Sequence, residues 1–144
     1  MILVVDASVI VKWYIREEGS DGACRLLSGP DLLVTPTHAA AEIGHVLTRH
    51  VRAGALPRDE MAAALAGQSR TVSAIPLGVL HAEAIAVAVD AGTSFYDAPY
   101  VAAAAGWNRH VVTADLRLVR TMSGTPWAAR VVGLTDWSAE PRGP

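Results

Sequence analysis

The chain has 144 residues, of which 51% are hydrophobic and 18% charged, with a formal net charge of −2. That composition excludes a disordered chain, and the length suits one domain able to bury its own core. The near-neutral balance excludes a strongly basic nucleic-acid footprint, and the lone Cys24 excludes an internal disulfide and points to a reducing cytoplasm.

The apolar, β-branched run Ile-Leu-Val-Val at 2–5 reads as a strand buried on both faces, followed by a helix over 8–15. Ser20 or Asp21 caps a second helix through Leu27, stopped by Ser-Gly-Pro at 28–30. A strand at 32–34 precedes Thr-Pro-Thr at 35–37, which opens a helix to about Arg52, stopped by Gly54 and Pro57. A helix follows at 58–68, then a strand within 72–77 and an apolar helix over 79–91 ended by Gly92. Asp97 caps a helix through Ala105; a strand at 110–113, a helix at 116–122 and a strand at 130–132 complete the pattern. The domain is expected to cover 1–137, with 138–144 a frayed tail. The N-terminus has no basic region before its apolar run, so no secretory signal is expected. The longest other apolar stretch, 79–89, is broken by His81 and Glu83 and is too short to span a membrane.

Strands alternating with helices predict an α/β fold, a three-layer α/β/α sandwich around a mostly parallel sheet. Ligands in such folds bind outside the carboxyl ends of the strands. Asp6 directly follows the first strand, Asp115 comes two residues after the strand ending at Thr113, and Asp97 opens a helix. Each alone is readily explained as a helix N-cap, since aspartate accepts the free N–H groups of a first turn. Glu42 is harder to place, because it lies inside an Ala-rich helix with no cation at i+4; it is either on the solvent face or paired. Carboxylates gathered at one sheet edge repel unless something neutralises them, and hard oxygen donors suit Mg²⁺ or Mn²⁺. Such sites serve phosphate chemistry.

Four ordered segments carry a family resemblance: Val-Val-Asp-Ala-Ser-Val-Ile-Val-Lys-Trp at 4–13, Glu-Ile-Gly-His-Val-Leu at 42–47, Tyr-Asp-Ala-Pro-Tyr-Val-Ala-Ala-Ala at 96–104 and Thr-Ala-Asp-Leu-Arg-Leu at 113–118. Together they resemble the PIN-domain ribonucleases, specifically the toxin half of VapBC-type toxin–antitoxin pairs. The resemblance implies a Mg²⁺- or Mn²⁺-dependent endoribonuclease in which water attacks a phosphodiester, leaving 5′-phosphate and 3′-hydroxyl ends. It implies Asp6 and Asp97 as the main metal ligands, with Asp115 assisting directly or through water. It assigns Glu42 to the attacking water and gives Ser8 and Thr113 as hydroxyl partners. It also implies a homodimer and a VapB-type antitoxin, whose C-terminal segment occupies a groove near the acids and whose cationic side chain competes with the metal. A PIN nuclease that is not a toxin, or a catalytically weak RNA-binding scaffold, is the alternative.

Two positions depart from the family pattern. His45 stands where the family usually carries Asn, and Pro99 where a small or polar residue is common; Pro99 is harmless if it lies in the first helical turn. His38, Glu42 and His45 share one helix face, but the second Glu-x-x-His of a carboxylate-bridged di-iron centre is missing, as is His-Glu-x-x-His. Ser8 breaks the Asp-x-Asp of a phosphatase, and Lys12, the single lysine, is not the late lysine a receiver needs. With four of the 14 acids on metal, 10 remain against 12 Lys and Arg, leaving the outer surface at +2. Lys12, Arg16 and Arg117 are the candidate RNA contacts. Cys24 reads as a small core residue, and the four tryptophans as core or interface.

Overall fold

The computed structural model describes residues 1–139. Five strands, β1 (Ile2–Val5), β2 (Leu32–Pro36), β3 (Ser73–Ile75), β4 (Val111–Thr113) and β5 (Val131–Gly133), form one sheet in the order β3-β2-β1-β4-β5. Every pairing is parallel, with Val4 opposite both Val34 and Val111. Eight α-helices connect or follow them: α1 (Ala7–Ile10), α2 (Ser20–Leu27), α3 (Ala39–Arg52), α4 (Arg58–Ala66), α5 (His81–Ala91), α6 (Ala98–Gly106), α7 (Leu116–Met122) and α8 (Leu134–Ala139). The α/β sandwich expected from the alternation is thus present. No helix is long and apolar enough to cross a membrane among the described residues.

Local chemistry explains where elements differ from expectation. The expected first helix is cut to the short α1 and a 3-10 turn at Val11–Trp13, because β-branched Val9, Ile10 and Val11 crowd a regular helix. β2 extends to Pro36, paired with Ile75, and α3 therefore starts only at Ala39. Pro76 ends β3, and a 3-10 turn at Leu77–Leu80 delays α5 to His81. Helix α8 was not expected; it absorbs residues 134–139, while 140–144 of the anticipated tail lie outside the described residues. Cys24 is exposed rather than in the core, since the helical period of α2 turns Ala23 and Leu26 inward instead.

The core positions the site. Helix α6 is buried along almost its whole length, from Ala98 to Ala104, and its run of alanines lets it pack closely between β1, β2, β4 and α5. Pro99 lies in its first turn, where a missing N–H costs nothing. Helix α3 is anchored by Ala39, Ile43 and Leu47, one apolar stripe at i, i+4 and i+8, which leaves Glu42, Val46 and Arg49 on another face. The chain leaves β1 toward β2 and returns to its other side as β4, so the crevice between β1 and β4 is the topological switch point, where open α/β sheets bind ligands.

Candidate active site

Asp6 is the last residue before α1 and is only 4% exposed. Its Oδ2 accepts hydrogen bonds from Ser8 Oγ at 2.7 Å and from Thr113 Oγ1 at the end of β4. Both hydroxyls are also held from behind: Ser8 Oγ accepts from the Ala114 N–H and Thr113 Oγ1 from the Asp115 N–H, each at 3.0 Å. Strands β1 and β4 are thereby tied together through the carboxylate itself. Burial pushes the Asp6 carboxyl up from its ordinary 3.8 to about 6, aided by the charges of Glu42 and Asp97, against the lowering effect of Thr113 and Ser8.

The N-cap explanation holds for only one of the three aspartates. Asp115 caps α7, its Oδ1 accepting the Arg117 N–H at 2.9 Å while Oδ2 receives Arg117 Nη2 at 3.3 Å. Neither Asp6 nor Asp97 makes a side-chain cap bond. Asp97 is instead stationed by its backbone, whose N–H donates to Ser94 Oγ at 3.1 Å. Its carboxyl is raised by burial and by Asp115 and Glu42, with Ser94 and Arg117 opposing.

Glu42 belongs to the paired reading, not to a bare solvent face. Its Oε1 accepts the Tyr100 hydroxyl at 3.1 Å and lies 3.1 Å from His38 Nε2. The same Nε2 is 2.7 Å from the Tyr96 carbonyl, and since both partners are acceptors the proton of the imidazole sits on Nε2. Burial lowers the His38 pKa, but the bonds to Glu42 and Tyr96 outweigh it and the net shift is upward. The hydroxyl of fully buried Tyr100 is held far above its ordinary pKa by burial and by Asp6 and Glu42, so it remains a donor.

All four acids line one cleft of about 450 Å³, together with Ser8, Lys12, Glu17, Arg49, His50 and Arg117. Lys12 is committed to Glu17 at 2.9 Å and to the Glu18 carbonyl at 2.7 Å. Arg16 lies off the cleft, paired with Asp21 at 2.7 Å. Arg49 and His50 were not singled out from sequence, although both follow Glu42 by two helical turns and so return to its face. Tyr100 was likewise passed over, although it lies one turn after Asp97.

Among the described residues, no three His, Cys, Asp or Glu side chains converge tightly enough to hold a metal ion by themselves. The all-oxygen donors fit a hard cation such as Mg²⁺, which takes one or two carboxylates and keeps several waters. The upward shifts of Asp6 and Asp97 come first from burial, with the neighbouring acids adding to them, and a cation among these carboxylates would offset both.

Fold and site together define a parallel α/β domain with an acidic cleft at its switch point. Residues 3–122 match the family model described as PIN domain. The chain is 36% identical over 121 residues to Ribonuclease VapC3 of Pyrobaculum aerophilum, covering 82% of this chain and 92% of that one. VapBC2 from Rickettsia felis, solved bound to a DNA fragment from its promoter, superposes with a TM-score of 0.64 at 12% identity, over 92% of this chain and 98% of that one. VapC20 of Mycobacterium tuberculosis, a sarcin-ricin loop cleaving toxin, gives 0.62 at 19% identity, over 88% and 93%. The chain belongs to the PIN-domain family, and within it resembles the VapC proteins of VapBC pairs.

Proposed function

We propose that this protein is a divalent-metal-dependent endoribonuclease, the toxin of a VapBC-type pair acting in the cytoplasm. The observation that carries the reading is the gathering of Asp6, Glu42, Asp97 and Asp115 in one cleft, with two of the three aspartates free of any capping duty. Asp6 and Asp97 would be the main ligands of Mg²⁺ or Mn²⁺, with Asp115 assisting directly or through a bound water. When bound, that ion supplies Lewis acidity and charge neutralisation at the phosphate. The residues of the chain do the rest. Ser8 and Thr113 orient Asp6 and favour its charged form. Tyr100 and His38 fix Glu42 through Oε1, which leaves Oε2 free to position and deprotonate the attacking water. Arg49, His50 and Arg117 face the cleft and suit the flanking phosphates. The products are a 5′-phosphate and a 3′-hydroxyl.

The partner in this reading is a VapB-type antitoxin that seats a cationic side chain in the same cleft. A second copy of the chain would cover part of the exposed apolar surface at Val79, Ile85 and Val89, forming a homodimer. Light scattering of the purified chain reads the oligomeric state.

Cleavage of a total RNA pool tests the reading directly, with Mg²⁺ or Mn²⁺, with EDTA, and with Asp97→Asn. Discrete cuts that vanish with EDTA and with the variant are expected. Equal cutting by both proteins would place the activity elsewhere. Absence of both cleavage and cation binding would leave an RNA-binding scaffold in place of an enzyme.

A further inference from the structure

A second cavity, of about 540 Å³, adjoins the acidic cleft and is lined by His38, Ala41, Glu42, His45, Val46 and Tyr96. Glu42 and Val46 line both spaces and form the ridge between them. Anything that spans the ridge therefore reaches the acids at one end and this cavity at the other.

We propose that this cavity is a nucleobase subsite, in which Tyr96 and His45 receive one unstacked base of a single-stranded RNA whose phosphodiester lies among the acids. The proposal rests on the RNA-cleavage reading above and adds a recognition element to it. Tyr96 is 71% exposed, yet it is stationed: its carbonyl is tied to His38 Nε2 at 2.7 Å, and the next residue is Asp97. Its ring thus stands one residue from the acidic cleft, held by the same histidine that holds Glu42. His45 is exposed one helical turn beyond Glu42 on α3. Among the described residues, neither the Tyr96 hydroxyl nor the His45 ring has a hydrogen-bond partner. Two aromatic side chains line the cavity beside the apolar Ala41 and Val46, and such a lining can stack any base because every base has a π-face. The His45 ring nitrogens add hydrogen-bonding groups at the rim, able to read a base edge. Recognition of RNA by sequence works in this way, on splayed single-stranded bases rather than on helical grooves. Arg49, one turn past His45, returns the α3 track to the acidic cleft, where a backbone phosphate would follow the base.

The test uses the full chain and a labelled single-stranded RNA octamer of mixed sequence, beside the same ribose-phosphate octamer made without bases. Anisotropy is read with Ca²⁺ in place of Mg²⁺, and gels check that the probe stays intact. The wild type should bind the RNA at least about tenfold tighter than the abasic chain, the scale of one stacked base. Tyr96→Ala should lose about that factor on RNA and nothing on the abasic probe, while Tyr96→Phe keeps the ring and the affinity. Thermal melting checks that each variant is folded, which the exposure of Tyr96 favours. If Tyr96→Ala and His45→Ala both keep the wild-type preference for bases, the subsite is wrong and the cleavage reading stands. If the wild type binds neither probe, the RNA reading falls and this inference with it.

Discussion

Replacing Asp6 by Asn should make the metal-free protein more stable while destroying its activity. The carboxyl has a pKa of about 6 in the folded chain against an ordinary 3.8, so the folded state resists its ionisation. A carboxyl raised in this way makes the folded state bind more protons than the unfolded one between the two pKa values, so stability falls as pH rises from about 4 to about 6. The difference of roughly two units is worth about 3 kcal/mol once both states are ionised, near pH 7. Asparagine carries no such cost at any pH. In a chelating buffer, Asp6→Asn should therefore exceed the wild type by about 3 kcal/mol at pH 7.5, or roughly 12 °C in Tm at about 4 °C per kcal/mol for this chain length. At pH 5 the advantage should shrink to about half, because the folded carboxyl is then mostly protonated. Asp97 and His38 are also shifted upward and slope the wild-type curve in the same direction, so the difference between the two proteins is the quantity to read. Added Mg²⁺ should raise the wild-type melt and leave the variant unchanged. A variant that melts at or below the wild type at pH 7.5, or a gap equal at both pH values, would refute the argument that burial of this charge is a cost.

Thr113→Val keeps the shape of a fully buried side chain but removes the donor to Asp6 and the acceptor for the Asp115 N–H, so melting should fall by about 2 kcal/mol, roughly 8 °C. The same variant should raise the Asp6 pKa further, measurable by NMR titration of its carboxyl carbon. Tyr100→Phe removes one of the two donors on Glu42 and should lower kcat about tenfold with KM unchanged, since water rather than substrate is misplaced; an equal loss in KM would argue against that role. Arg49→Ala should leave the melt within a degree or so and weaken RNA binding, with the salt slope reduced by about 0.7 for one lost contact to a single strand.

The strand-to-helix handovers were legible because short β-branched runs alternate with Ala-rich or capped segments, which put Asp6 and Asp115 at the carboxyl ends of strands; Asp97 follows a helix, and only its place at the start of α6 could be read. Pattern alone does not distinguish a capping aspartate from one released for chemistry. That distinction is tertiary: Asp6 is engaged by Thr113, 107 residues away, before it can reach its own helix. Glu42 was open between exposure and pairing because Tyr100 arrives from α6, 58 residues later, although its other partner, His38, stands one turn earlier on the same helix face. Arg49 and His50 were hidden in a helix whose cleft-facing side is known only once Ile43 and Leu47 have been placed in the core. Pro76 shortens β3, but nothing local marks Leu134 as the start of α8; its burial between β5 and α2 does.

The position of β1 in the middle of the sheet governs when the acidic cleft is assembled. A chain emerging from the ribosome delivers Asp6 first and Thr113 nearly last, and the hydroxyl that holds the carboxylate comes from the strand that inserts beside β1 only after β2 and β3 have been made. Up to that moment β1 has an open flank and the acids have no common cleft. Fragments ending before residue 113 therefore lack the organised centre, whatever secondary structure they form. The acidic cleft is complete only once β4 has docked beside β1, so under the proposed reading an antitoxin made beforehand would be present before the toxin could cut.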